Sequence, residues 1–184
     1  MSNRIKNTRR NLLVGSISKI VFTVLPFLIR TVILWLLGVE YMGLGSLFTS
    51  ILQVLNLAEL GFSSAITFSM YKPIAQGDEE TVCALMAYYK KIYRMVGTTI
   101  GTAGIVLLPF IRLLIYGTWP EDVNIYLLYV IYLFNTVSSY FLYAYKTALL
   151  TAVQRIDLVN GVQLLVFVLQ YLLQFIILLF TKNY

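Results

Sequence analysis

Five long apolar runs constrain this 184-residue chain more than any other feature. They cover approximately 12–37, 43–71, 95–117, 123–145 and 158–181. A helix needs about 20 apolar residues to cross the hydrocarbon core of a bilayer, so each run is long enough to span. Membrane β-strands are excluded, because they are only about 10 residues long and alternate strictly between apolar and polar positions. Composition agrees: 59 % of residues are hydrophobic and 12 % charged, against roughly half and a quarter in soluble domains. The expected fold is therefore all-α, a polytopic transmembrane helix bundle of about five spans forming a single membrane domain over 1–184.

The connections between runs alternate in charge. Arg4, Lys6, Arg9 and Arg10 precede the first run. Lys72, Lys90, Lys91 and Arg94 surround the second connection, and Lys146 and Arg155 flank the fourth. Gly38–Met42 and Thr118–Asp122 contain no Lys or Arg, only Glu40, Glu121 and Asp122. Ten basic residues on one side against none in the two opposing loops predict a cytoplasmic N-terminus by the positive-inside rule. The first run is not a cleaved signal: it is too long, carries Lys19 and Arg30, and lacks an A-x-A-like site. Pro73 and Gly77 are expected to break the second helix, and Asp78, Glu79 and Glu80 to start the next, where carboxylates meet the positive end of the helix dipole. That third helix should then protrude into the cytoplasm. Trp35, Tyr41, Tyr116 and Trp119 suit an aromatic belt on the outer side.

Polar residues inside the runs are the candidate functional groups. A charge near the bilayer centre costs about 2.5–3.5 kcal/mol even on the gentler insertion scale, so it normally faces protein or a water-filled cavity. Lys19 and Arg30 lie eleven residues apart, close to three helical turns, on nearly one face with Thr23 and Pro26 between them. Pro26 removes a helical hydrogen bond and is expected to kink the span. One reading is a cationic stripe lining a cavity; the other has both side chains snorkelling to opposite headgroup layers. In the second run Thr49, Gln53, Asn56, Glu59, Ser63 and Thr67 advance by three or four residues as a polar stripe. Glu59 reads either as a coupling or gating acid or as an ion-pair partner for Lys19 or Arg30. Tyr126, Tyr129, Tyr132, Tyr140 and Tyr143 form a partial aromatic stripe, assigned to helix packing over sugar stacking. Gly97, Gly101 and Gly104 are assigned to close helix approach.

No enzymatic constellation appears. There is no His, a single Cys83, no phosphate loop and no acidic cluster spaced for a metal, so no cofactor is expected. The basic segments are explained by topology and not by nucleic acid.

The stretch from Arg30 to Asp78 resembles the first two helices of bacterial polysaccharide-biosynthesis flippases of the O-antigen or capsule type. The resemblance is carried by Leu37-Gly38-x-Glu40-Tyr41-x-Gly43-Leu44, Glu59-Leu60-Gly61 and Tyr71-Lys72-Pro73. "YKKIYRMVG" and "SSYFLYAYKTALLTAVQR" extend it, ending in Leu149-Leu150-x-Ala152-x-Gln154-Arg155. It covers nearly the whole chain from residue 10. What it implies is a member of the multidrug/oligosaccharidyl-lipid/polysaccharide exporter superfamily, with two lobes of about six or seven helices around a central, often cationic cavity. Such proteins are thought to flip undecaprenyl-pyrophosphate-linked oligosaccharide across the bacterial cytoplasmic membrane by alternating access. On that reading Arg30 and Lys19 face the pyrophosphate, with Glu59, Asn56 and Gln53 as further cavity residues. Five spans do not complete a lobe, so the expectation is a fragment or an N-terminal portion. Two alternatives stand: a multidrug/cation antiporter of the same superfamily with Glu59 as coupling acid, and a non-transporting scaffold for glycan polymerases or glycosyltransferases.

Overall fold

The computed structural model describes residues 2–57, 62–116 and 118–181, with side chains described for 12–57, 62–116, 118–178 and 180. Among the described residues every regular element is helical: α1 (Ser2–Leu36), α2 (Val39–Asn56), α3 (Phe62–Gln76), α4 (Glu79–Leu107), a 3-10 turn (Leu108–Phe110), α5 (Ile111–Leu114), α6 (Ile125–Leu142), α7 (Ala144–Ala152) and α8 (Ile156–Thr181). The all-α helical membrane class follows. Four segments are long and apolar enough to cross a bilayer: Leu12–Leu36, Glu79–Leu114, Ile125–Leu142 and Ile156–Leu178. The chain divides into two compact units, Met1–Met42 with Gln154–Tyr184, and Gly43–Val153.

In the first unit α1 and α8 pack side by side. Their contacts keep a constant register. A Cβ on Gly15 would lie 3.9 Å from the Asn160 amide nitrogen, the Phe22 and Phe167 rings meet edge to face at 4.7 Å, and Ile29 and Ile33 share a buried cluster with Leu178. Sequence numbers rise together on both helices, so the pair is parallel. The assigned helix of α1 continues through Pro26. It ends where Leu37 N–H and Gly38 N–H both donate to the Ile33 carbonyl. Gly38 has φ +101°, a left-handed conformation open to glycine without a Cβ clash. Helix α2 resumes at Val39, so the expected connection over Gly38–Met42 shrinks to two residues, with Glu40 in the first turn of α2.

In the second unit α4 is the long axis. Its 29 residues extend about 43 Å at 1.5 Å per residue, more than the hydrocarbon core requires. Asp78 caps it as expected: its carboxylate accepts from Thr81 N–H at 3.0 Å and Thr81 Oγ1 at 2.6 Å. These bonds hold the Asp78 carboxyl below its ordinary pKa of 3.8. Pro109 falls in the 3-10 turn that ends α4, where its missing N–H cannot continue the helix. Helix α6 is capped by Asn124, whose side chain accepts from Tyr126 N–H and Leu127 N–H.

The second run is described as α2 up to Asn56 and α3 from Phe62, with 58–61 outside the described residues. One expectation needs correction. Pro73 does not break α3, which runs through it to Gln76; Gly77, at φ +69°, is where the chain turns. Helix α6 fills most of the fourth run, and α7 follows it after Tyr143.

Packing in this unit centres on α4 and α6, which run antiparallel through the glycines. A Cβ on Gly97 would lie 2.9 Å from Tyr140 Cβ, and one on Gly104 would collide with Leu133. Helix α2 lies parallel to α6, because Phe48 meets Tyr129 and Tyr132 edge to face while Asn56 meets Tyr140 further along both helices. Leu44, Phe48 and Leu52 of α2 are buried in one cluster with Tyr129 and Leu133. A second cluster joins Ile66 and Met70 of α3 to Tyr89 and Tyr93 of α4 and to Ala148 and Ala152 of α7.

Candidate functional site

The face of α1 turned to α8 carries Gly15, the buried Ser18, Phe22, Ile29 and Ile33. Lys19 and Arg30 fall off that face and are exposed. Thr23, between them, donates its hydroxyl to the Lys19 carbonyl at 2.9 Å, satisfying itself within the helix. Among the described residues neither cation has an acidic partner. The two charges therefore share an open face, separated along the axis by about 16 Å for eleven residues. Ser18 contributes a buried hydroxyl oxygen without a hydrogen-bond partner.

The polar stripe of the second run has a different fate at each position. Thr49 Oγ1 donates to the Gly45 carbonyl and Thr67 Oγ1 to the Ser63 carbonyl, so both are spent locally. Gln53 is exposed. Asn56 is half-buried and accepts from the Tyr140 hydroxyl at 3.1 Å. Glu59 lies outside the described residues. Gln53 and Asn56 belong to the second unit, Lys19 and Arg30 to the first.

The tyrosine stripe of α6 is packing, as expected. Tyr129 is fully buried and donates to the Gly104 carbonyl at 3.1 Å. Tyr140 is buried, Tyr132 half-buried, and Tyr126 and Tyr143 exposed. An open recess of about 650 Å³ lies along α2 and α4, lined by Leu55, Thr99, Thr102, Ala103, Val106 and Leu107. The Thr99 and Thr102 hydroxyls donate back to Met95 and Thr98 carbonyls. The surface left is apolar, without an ionisable group, and suits a hydrocarbon chain.

Some polar groups escaped the sequence reading. Asp157 is buried in the first turn of α8, with Arg155 Nε 3.3 Å from its Oδ1; the available signal was an acid two residues after a base at a helix start. Arg112, inside the third run, is exposed and lies over the Trp119 ring at 5.6 Å from its centroid. An arginine four residues short of the predicted aromatic belt was the clue there. Among the described residues no cluster of three His, Cys, Asp or Glu is placed to hold a metal. Cys83 is exposed and reduced. Set beside protein-family models, curated proteins and solved structures, the chain matches none.

Proposed function

We propose that this chain serves in a flippase that moves undecaprenyl-pyrophosphate-linked oligosaccharide across the bacterial cytoplasmic membrane by alternating access. One observation carries the reading: Arg30, with Lys19 three turns away, sits on the α1 face that does not pack against α8 and meets no acid among the described residues. A cation at membrane depth calls for a counter-charge. A pyrophosphate headgroup in a low-dielectric passage needs the reverse, and a planar guanidinium offers it paired donors. The flippase resemblance from Arg30 to Asp78 points the same way.

The topology that goes with this reading has a cytoplasmic N-terminus and five crossings. Support comes from the parallel register of α1 and α8. Two parallel spans require an odd number of crossings between them. Helices α4 and α6 supply two, and the second run, α2 with α3, supplies the third. Helix α2 runs beside α6 over most of its length, which suits that assignment.

The test is glycan export in cells whose only copy of the full-length protein carries Arg30→Ala, with protein abundance followed by immunoblot. Loss of surface glycan at unchanged abundance, with partial recovery in Arg30→Lys, is expected. Normal export in Arg30→Ala removes the assigned role. A second reading is a scaffold for glycan polymerases or glycosyltransferases. Co-purification with such enzymes together with normal export in Arg30→Ala would select it.

A further inference from the structure

Lys90 of α4 and Lys146 of α7 approach the same aromatic ring. The Lys90 ammonium lies 5.9 Å and the Lys146 ammonium 5.8 Å from the centroid of Tyr145. The two like charges are therefore within about 12 Å of each other, and among the described residues no carboxylate joins them. Their spacing in sequence is 56 residues, so only the packing of α7 on α4 brings them together. Lys90 and Tyr145 are half-buried, Lys146 is exposed, and Tyr145 packs on the cluster that holds Tyr89, Tyr93 and Tyr140. By the positive-inside assignment these residues fall at the cytoplasmic headgroup level.

We infer that Lys90, Lys146 and Tyr145 form a site for the phosphate of an anionic membrane-lipid headgroup. Two ammoniums drawn to one ring repel each other, and a phosphate within reach of both offsets that repulsion with two attractions. The Tyr145 ring attracts each side chain. Basic pockets between helices at this level take anionic headgroups on general electrostatic grounds. The inference rests on the membrane reading and is independent of the flippase reading, since it concerns α4 and α7 and no residue of α1.

Native mass spectrometry of the full chain in mild detergent, titrated with phosphatidylglycerol or phosphatidylcholine, tests it. Wild type should retain one phosphatidylglycerol in preference to phosphatidylcholine. Lys90→Gln with Lys146→Gln should lower that affinity about thirtyfold, as expected for two lysines at a membrane surface. Lys91→Gln with Arg94→Gln, an equal charge change on the same helix, should leave it within twofold. Lys90→Arg with Lys146→Arg should retain the lipid, which separates loss of charge from loss of fold. Equal weakening by both Gln pairs, or none by either, overturns the site. Displacement of the lipid by a small excess of inorganic phosphate would assign a free-anion site and overturn the lipid.

Discussion

Alanine at Gly104 and at Gly101 should shift stability in opposite directions, although the two lie one turn apart on α4. At Gly104 a new Cβ would collide with Leu133 Cδ1, lie 2.8 Å from Cδ2 and 3.1 Å from Cγ. Rotating the terminal methyls cannot relieve a contact with Cγ, and Leu133 is itself only 5 % exposed. Moving α6 away instead would stretch the hydrogen bond from the buried Tyr129 hydroxyl to the Gly104 carbonyl. Overpacking of this kind costs about 1–3 kcal/mol, while replacing a helical glycine returns roughly 0.5–1 kcal/mol of backbone entropy. The net is a loss of up to about 2.5 kcal/mol at Gly104. At Gly101 the nearest atoms are Val137 Cγ2 at 3.4 Å and Cγ1 at 3.8 Å, an ordinary contact, so the entropic gain survives at about 0.5–1 kcal/mol. Reversible unfolding of the full chain in mixed micelles, followed by far-ultraviolet circular dichroism, measures the difference. Its folding equilibrium should differ about fivefold or more between the two variants, and Leu133→Ala should recover part of the loss in Gly104→Ala. Equal stabilities for Gly104→Ala and Gly101→Ala would refute the packing argument for this face.

Three further outcomes are expected. In a Cys83→Ser background, Gly15→Cys should cross-link oxidatively with Asn160→Cys and fail to do so with Leu178→Cys; the reverse pattern would contradict a parallel α1–α8 pair. Tyr140→Phe should cost about 0.6 kcal/mol, the average for a hydrogen bond between membrane helices. A double-mutant cycle with Asn56→Ala should recover that coupling, and additive losses would show that the bond contributes nothing. The Asp78 cap should titrate: because hydrogen bonds from Thr81 lower the Asp78 pKa, its contribution is full above the ordinary value of 3.8 and is lost as pH falls through the lowered one. Hydrogen exchange at the Thr81 amide should accelerate across that interval in wild type and not in Asp78→Ala, and a wild type without that acceleration would dismiss the cap.

The fates of particular residues divide between sequence and structure. Class was legible at once, because burial in lipid asks only for an apolar run of sufficient length, and that property adds up along the chain. The cap at Asp78 and the glycine spacing on α4 were legible for a similar reason: each depends on residues within one or two turns. Breaks were not. Pro73 looked like a helix breaker, yet α3 passes through it and the chain turns only at Gly77. Faces were also beyond the sequence. Periodicity placed Lys19 and Arg30 on one stripe, but the stripe has no direction until Phe22 and Ile29 choose α8 as their partner. Asn56 looked like one of six equivalent polar positions, and only the parallel run of α2 beside α6 sets it against Tyr140. Lys90 and Lys146 read as ordinary interfacial charges until α7 folds back onto α4. The sequence alone determined what each segment is soluble in and where α4 starts. Which faces meet, and which charges meet across them, was decided by tertiary structure, since those contacts join residues far apart in the chain and no local pattern encodes the distance between them.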